Sequence, residues 1–195
     1  MIYFRFIAVL VLVVLMIVQA GSAASAEPLH QSTQLKAGLY FPATKSFDVG
    51  TGIDLAYSIK PFPYSAVEDG IGYYRADAKD IYANGFISAL PLTLSARAIL
   101  PMPYINVYAG GGVGVYYKML QLKPHDPPLG ITELPADHSE WSLGYHANTG
   151  IEFPTSRGLS LLLDGKYVSV NQGKFKSYGI EPGGVFVYGG FALDF

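Results

Sequence analysis

Apolar and polar side chains alternate along most of the chain after residue 33. Between residues 48 and 60, every second side chain would point to the same face of an extended strand: Val49, Thr51, Ile53, Leu55, Tyr57 and Ile59. The same alternation runs through residues 105–119 and 141–153. Strands of globular proteins usually have about five or six residues, whereas a strand that crosses a bilayer needs about 9–11. The pattern therefore predicts strands long enough to cross a membrane.

Eight alternating segments are present, and the connections between them differ in length. The predicted strands cover residues 34–42, 47–60, 64–76, 86–100, 104–120, 141–153, 159–170 and 184–195. Tight turns that contain proline are predicted at 61–63, 101–103 and 154–158. The loops at the other end are longer, at 77–85, 121–140 and 171–183, except for a short first loop at 43–46. Because this asymmetry is typical of bacterial outer-membrane barrels, we predict an all-β fold, an eight-stranded antiparallel up-and-down transmembrane β-barrel.

A soluble barrel of the lipocalin type is the main structural alternative, because its eight strands alternate in the same way. The polar face of a soluble barrel meets water and should carry many Lys and Glu residues. Here that face is mainly Gly, Ala, Ser and Tyr, and only 14% of the chain is charged, against about 25% in typical soluble domains. Small residues fit the cramped interior of an eight-stranded barrel. The apolar faces would then point outward, which favours lipid as their surroundings.

Composition excludes several other classes of site. The chain has 195 residues and no cysteine, so neither disulfides nor thiolate metal sites are available. The net charge of −2 gives no basic surface for nucleic acid. No internal repeat or second folded domain is evident.

The first 26 residues form a separate segment in which Arg5 is the one charged residue. An uninterrupted apolar run covers residues 7–18, and small residues follow it, including Ala24 and Ala26. Such a run is shorter than the roughly 20 residues that a transmembrane helix needs, but it has the length of a signal-peptide core. We predict a cleaved signal peptide at 1–26 and a barrel domain at 27–195. An uncleaved anchor is the alternative.

Two stretches resemble known outer-membrane proteins. Residues 188–195, YGGFALDF, resemble the C-terminal assembly signal of bacterial outer-membrane proteins, in which an aromatic residue, a glycine and two later hydrophobic residues recur. These places are taken by Tyr188, Gly190, Leu193 and Phe195. Residues 90–117 resemble the central strands of small OmpA/OmpX/OmpW-type barrels, in which a strand ends near a Pro-Tyr pair and the next strand is glycine-rich.

The resemblance implies an integral protein of the bacterial outer membrane with a porin-like architecture. Its partners would be membrane lipid and lipopolysaccharide, together with the barrel-assembly machinery that recognises the C-terminal strand. It does not imply a single activity, because the fold hosts adhesins, narrow channels, passive envelope proteins and a few lipid-modifying enzymes. The sequence identifies no extracellular partner.

Seven charged residues fall on the glycine-bearing face that would line the barrel interior: Asp54, Glu68, Arg97, Lys118, Glu152, Asp164 and Lys166. A buried charge needs a partner, since an unpaired one costs several kcal/mol. The mixed signs therefore predict a salt-bridged plug, in which Glu68 is the nearest partner of Arg97 by strand adjacency. A packed polar core and a selective pore are both compatible with these charges, and the small diameter favours the packed core. Asp69 falls on the apolar face, which predicts a position near a membrane edge or a shifted register.

Neither catalysis nor a cofactor is predicted. Lipid A deacylases have a spaced His-Ser arrangement, whereas His138 and Ser139 are adjacent and would point to opposite faces of a strand. Residues 137–140 are instead expected to be a solvated loop end beside Trp141. A metal site is not predicted either, because the candidate ligands do not have the regular spacing of metal-binding residues. The candidates are His125, Asp126, Asp137 and His138. His146 is expected to be a hydrogen-bonded interior residue.

The predicted function is therefore that of a non-enzymatic outer-membrane barrel with a charge-plugged lumen. Its longer loops would serve envelope structure or surface interaction. A narrow channel for small solutes is the alternative.

Overall fold

The computed structural model describes residues 30–79, 83–124, 137–155, 158–173 and 180–195, without the side chains of 83, 84, 122–124 and 137. The predicted signal peptide at 1–26 lies outside the described residues. So do His125 and Asp126, two of the candidate metal ligands.

Eight antiparallel strands form a closed barrel, in which each strand is next to its sequence neighbours and the last strand pairs with the first. The strands are β1 His30–Pro42, β2 Gly50–Phe62, β3 Ser65–Asp77, β4 Ala83–Pro101, β5 Asn106–Pro124, β6 Asp137–Pro154, β7 Leu159–Val170 and β8 Gly184–Asp194. The predicted all-β up-and-down barrel is confirmed.

The central strands extend further toward the long loops than the alternation predicted. β5 continues to Pro124, β6 begins at Asp137, and their ladder runs as far as the pair Gln121 and Asp137. The prediction of a loop end at residues 137–140 is therefore wrong. Backbone hydrogen bonds hold a ladder together whatever the side chains, so the ladder continues past the point where apolar alternation stops.

The alternation divides the side chains between the barrel interior and its outer wall. In β7, every second side chain is buried, from Ser160 to Val170, and the side chains between them are more exposed. Large apolar side chains lie on the outer wall of all eight strands; examples are Leu39, Leu55, Ile71, Leu100, Val113, Leu143, Leu163 and Val187. Within the described ranges, no helix is long and apolar enough to cross a membrane.

Glycines on the inner face make room for large interior side chains. A Cβ atom on Gly150 would lie 2.5 Å from Cζ of Tyr108, and one on Gly110 would lie 2.9 Å from Cγ of Arg97. On the outer wall, a Cβ atom on Gly189 would have no atom within 4 Å. The inner glycines therefore serve packing, because a side chain in their place would displace a bulky neighbour.

Closure of the barrel predicts that the folded protein resists SDS. The β1–β8 ladder runs from Ser32 and Asp194 to Pro42 and Gly184, so there is no free strand edge at which the sheet can begin to open. We expect the refolded protein to stay compact in SDS at room temperature and to change its gel mobility after boiling. A sample kept unfolded in urea is the control. Identical mobility of all three samples would contradict a closed barrel.

Candidate functional site in the barrel interior

Two side-chain clusters fill the barrel interior at successive levels. The charge cluster consists of Lys36, Asp54, Glu68, Arg97, Asp164 and Lys166. The aromatic cluster consists of Tyr40, Tyr74, Tyr116, Phe186 and Tyr188. On β1 and β3, the charged residue lies nearer the short turns and the aromatic residue nearer the long loops. All eleven side chains are buried, so the clusters occupy the lumen in series.

Arg97 on β4 binds Glu68 on the adjacent strand β3 through both ends of its guanidinium group. Its Nη2 donates a hydrogen bond to Oε1 at 2.7 Å, and its Nη1 lies 2.7 Å from Oε2. The planar fork of arginine matches a carboxylate in this way. Nη2 also lies 3.6 Å from Oδ2 of Asp164 on β7. The structure thus brings together the two residues that strand adjacency paired, and joins them to a third.

Tyr108 and Asn148 support Arg97, and sequence reasoning missed both. The guanidinium carbon lies 4.6 Å from the centre of the Tyr108 ring, and the Tyr108 hydroxyl donates to Oδ2 of Asp164 at 2.7 Å. With its amide oxygen turned toward Arg97, Asn148 accepts from Nε and Nη2 at 3.1 Å each. A neutral phenol and an amide carry no charge at neutral pH, so a search for charged residues does not find them.

Lys36 on β1 connects the three carboxylates of the charge cluster, and the sequence prediction did not include it. Its Nζ lies 3.9 Å from Asp54, 3.7 Å from Glu68 and 3.8 Å from Asp164. Lys166 completes the cluster by donating to Oδ2 of Asp54 at 3.1 Å. The alternation of β1 does indicate that Lys36 points inward, because the residues on either side of it face outward.

The charge cluster balances three cations against three carboxylates. Removing such groups from water costs several kcal/mol per ion, and close pairing with extra hydrogen bonds is what offsets this cost. Each cation of the cluster lies within 4 Å of at least one carboxylate. The cluster can therefore be buried as a neutral group, and no counter-ion from solvent is needed.

Glu152, a predicted interior charge, forms a separate pair near the short turns. Its Oε1 lies 3.6 Å from Nζ of Lys60, which in turn lies 4.0 Å from Oδ1 of Asp194. The side chains of Lys60 and Asp194 are more exposed than those of the charge cluster. Glu152 is thus an inward charge at the barrel rim, and its partner is Lys60 instead of the cations of the charge cluster.

Lys118, also predicted as an interior charge, lies at the opposite end of the barrel. Its Nζ donates to Oε1 of Glu140 at 2.9 Å and to the backbone carbonyls of Asn171 and Gln172 at 2.7 and 3.1 Å. The buried ammonium group therefore binds the start of the β7–β8 loop to the barrel wall.

The aromatic cluster binds the other end of the same loop. Phe186 stacks on Tyr40, with ring centroids 4.6 Å apart, and meets Tyr74 edge-on at 5.0 Å. The Tyr40 hydroxyl donates to the carbonyl of Gly183 at 3.1 Å, and that of Tyr74 to the carbonyl of Pro182 at 3.0 Å. Edge and stacked contacts of this kind are favourable beyond area burial. The cluster is thus a packed apolar layer below the long loops.

A small cavity separates the two clusters. It has a volume of about 10 Å³ and is lined by residues of both clusters, among them Asp54, Tyr116, Lys166 and Tyr188. This is about the space that one water molecule occupies. Among the residues that the structure describes, none hydrogen-bonds Oδ1 of Asp54 or the hydroxyl of Tyr116, so the polar wall of the cavity suits a water molecule.

The two histidines of β6 lie in different surroundings. His146 faces the interior, where its Nε2 lies 2.8 Å from Oγ of Ser95, in keeping with the expected hydrogen-bonded interior residue. His138 is half-buried and Ser139 is exposed, as expected for neighbours on opposite faces of a strand. Within the described part of the chain, no group of three or more His, Asp or Glu residues is placed to hold a metal ion.

Asp69 faces outward on β3, opposite Tyr57 of β2 and Leu94 of β4. The register is continuous at this position, since the irregularity in the β2–β3 ladder lies between Ile59 and Phe62. The alternative of a shifted register at Asp69 is therefore wrong. A position near the membrane edge stays a prediction for this half-buried carboxylate.

Comparison with solved structures places the barrel among known membrane barrels. A major outer-membrane protein of Thermus thermophilus is 16% identical, with a TM-score of 0.64 over 87% of this chain and 100% of that one. Neisserial surface protein A is 12% identical, with a TM-score of 0.56 over 86% and 97%. Ail, the attachment invasion locus protein of Yersinia pestis, is 10% identical, with a TM-score of 0.54 over 87% and 100%.

No protein-family model matches the chain, and no curated protein matches it in sequence. At 10–16% identity, the likeness to the solved structures concerns the fold alone. The chain therefore has the fold of the small eight-stranded outer-membrane β-barrels.

Proposed function

We propose that the protein is an integral, non-enzymatic barrel of the bacterial outer membrane with a closed lumen. The observation that carries this proposal is the pairing of an apolar outer wall with a neutral, buried charge cluster inside. An apolar wall of this extent is not tolerated by water, and a closed barrel satisfies its backbone groups internally, as lipid requires. The protein would act through its outer surface and its loops, in envelope structure or surface interaction.

The closed lumen rests on two barriers in series. The charge cluster spans β1, β2, β3, β4 and β7, and the aromatic cluster fills the level next to the long loops. A cavity of about 10 Å³ lies between them, which is too small for a solute larger than water. Packing thus supports a plug and argues against the alternative of a narrow channel.

Export and assembly complete the proposal. The signal peptide at 1–26 would direct the chain through the inner membrane. In β8, Tyr188 and Gly190 face the interior and Leu193 faces outward. Leu193 and Phe195, which follows the end of β8, have about half or more of their surface exposed. We assign these four residues to recognition by the barrel-assembly machinery. The outer wall would then contact membrane lipid and lipopolysaccharide.

Planar-bilayer conductance tests the closed lumen. We expect the refolded native protein to show no discrete current steps. Arg97→Ala should be silent as well, because the aromatic cluster still fills the lumen when the charge cluster is disrupted. A known porin added to the same bilayer is the positive control. Reproducible steps from the native protein would support the channel and contradict the plug.

Removal of Arg97 tests the energetic role of the charge cluster. Arg97→Ala leaves the cluster with two cations and three carboxylates, and breaking a buried pair costs about 3–5 kcal/mol. We expect a clearly lower urea midpoint of the refolded protein. Adding Glu68→Gln restores the charge balance and should recover part of the loss, which a double-mutant cycle measures.

The matched control for this cycle is Arg75→Ala. Arg75 also pairs with a carboxylate, Asp77 at 2.9 Å, but both side chains are exposed on the outer wall. Exposed pairs contribute about 0–1 kcal/mol, so we expect little change. Equal effects of the two substitutions would show that Arg97 is not part of a buried plug.

Substitution of Phe195 tests the assembly signal. Phe195→Lys should leave export intact and lower the amount of heat-modifiable protein in the outer membrane, because a hydrophobic residue of the signal is lost. Phe153→Lys is the matched control, since Phe153 is another outward phenylalanine near the short turns but lies on β6. Equal amounts of inserted protein in the two variants would remove the special role of Phe195.

A further inference from the structure

A single carboxylate interrupts the apolar outer wall where β2, β3 and β4 meet. Asp69 faces outward on β3, and the outward residues before and after it, Val67 and Ile71, are apolar and exposed. Its neighbours across the two ladders are Tyr57 on β2 and Leu94 on β4. Aliphatic or aromatic side chains therefore surround this half-buried carboxylate on all four sides.

The cations described near Asp69 are bound to other carboxylates. Those of the barrel interior belong to the charge cluster, on the other side of the wall. Arg75, which faces outward on the same strand, is bound to Asp77 at 2.9 Å. None of the ion pairs within the described ranges includes Asp69. An ionisable side chain at membrane depth usually has a partner and a function, so a partner for this one has to come from outside the described residues.

Asp69 lies in the part of β3 that is nearer the short turns. It is four residues from Ser65, where the strand begins. With a rise of about 3.3 Å per residue and a tilt of about 40°, this distance corresponds to about 10 Å along the barrel axis. The headgroup layer of one leaflet is about 5–8 Å thick. A strand that begins at the outer surface of this layer therefore places Asp69 at its inner boundary, within reach of lipid headgroups.

A hydrogen-bonded pair of polar groups lies on the two strands next to Asp69. The Tyr57 hydroxyl of β2 donates to Oε1 of Gln31 on β1 at 2.7 Å. Both side chains belong to the outward face and are half-buried. Because Oε1 of Gln31 accepts this bond, the amide nitrogen of the same side chain keeps two N–H groups that can donate. No hydrogen bond among the described residues uses them.

The outward face thus carries a carboxylate and an amide donor on opposite sides of Tyr57. Neighbouring strands lie about 4.8 Å apart, so the backbones at Asp69 and Gln31 are separated by about two such spacings. A zwitterionic lipid headgroup has the matching order of charges, since two carbons join its ammonium group to its phosphate. A lysine of another protein would satisfy the carboxylate but would bring no acceptor for the amide. The pair of groups therefore favours a lipid over a protein partner.

We propose that Asp69, Tyr57 and Gln31 form a binding site for one phospholipid with a primary ammonium headgroup, such as phosphatidylethanolamine. Asp69 accepts hydrogen bonds from the ammonium group, Gln31 donates to the phosphate, and the Tyr57 ring packs against the carbons between them. A primary ammonium has three N–H donors, whereas the quaternary ammonium of phosphatidylcholine has none, so the site selects the former. The inference rests on the proposed membrane location and adds a specific lipid to it.

A carbodiimide cross-link tests the site, because this reagent joins a carboxylate directly to a primary amine. The refolded protein is inserted into vesicles of phosphatidylcholine, with or without phosphatidylethanolamine, and treated with membrane-soluble dicyclohexylcarbodiimide. Formation of the amide releases the elements of water, which the reagent takes up as it becomes a urea. The protein therefore gains the mass of one lipid less one water, and mass spectrometry of its peptides locates the modified residue.

Two matched variants accompany the native protein. Asp69→Asn removes the carboxylate at nearly constant size, and Asp77→Asn removes another outward carboxylate of β3, at the long-loop end. We expect the native protein to carry phosphatidylethanolamine at Asp69, Asp69→Asn to lose the cross-link several-fold, and Asp77→Asn to keep it. Gln31→Leu should lower the yield several-fold, because the phosphate loses its donor. Vesicles of phosphatidylcholine alone should give no lipid adduct.

The outcomes separate the lipid site from the membrane location itself. A native protein that shows no heat-dependent gel shift in either kind of vesicle would contradict the membrane location. If the native protein and Asp69→Asn both insert and gain equal amounts of lipid, the site is wrong. Equal yields from the native protein and Gln31→Leu would overturn the role of the amide. A cross-link from Asp69 to a protein lysine in native envelopes, with none to lipid, would assign the carboxylate to a protein partner instead.

Discussion

An eight-stranded barrel leaves an interior just wide enough for side chains, and this narrowness governs which residues can point inward. A charge placed there must meet an opposite charge, because neither bulk water nor a mobile counter-ion can follow it. The bidentate contact between Arg97 and Glu68 satisfies this requirement between adjacent strands. Lys36 and Asp164 extend it across the barrel, so the neutral cluster also links strands that share no ladder.

The same narrowness explains the glycines of the inner face. Where the interior holds an arginine, lysine or tyrosine side chain, the other inward residues at the same level have to be small. Gly110 lies against the stem of Arg97, and Gly190 against that of Lys36. At a given level, a strand therefore contributes either a large inward side chain or a glycine that leaves space for the large side chain of the adjacent strand. The high glycine content, 22 residues, is in part a consequence of interior packing.

Much of the fold was predictable because period-two alternation reports directly on which side of a barrel wall a residue lies. The inward positions of Arg97 and Glu68 followed from it, and so did the number of strands. The ends of β5 and β6 did not, because hydrogen bonds continue where side-chain polarity no longer alternates. The contacts that each inward charged residue makes were harder still to predict. Lys118 was recognised as inward, but its contacts with the carbonyls of Asn171 and Gln172 depend on the path of a loop, which alternation does not describe.

The β7–β8 loop is attached to the barrel at both of its ends. Lys118 binds the carbonyls of Asn171 and Gln172 at the start, and the hydroxyls of Tyr40 and Tyr74 bind those of Gly183 and Pro182 at the finish. These contacts use backbone carbonyls, which every amino acid possesses. The attachment therefore uses the main chain of the loop at these four positions. A main-chain attachment of this kind constrains the path of the loop at its two ends and leaves the choice of side chain at Asn171 and Gln172 free of these contacts.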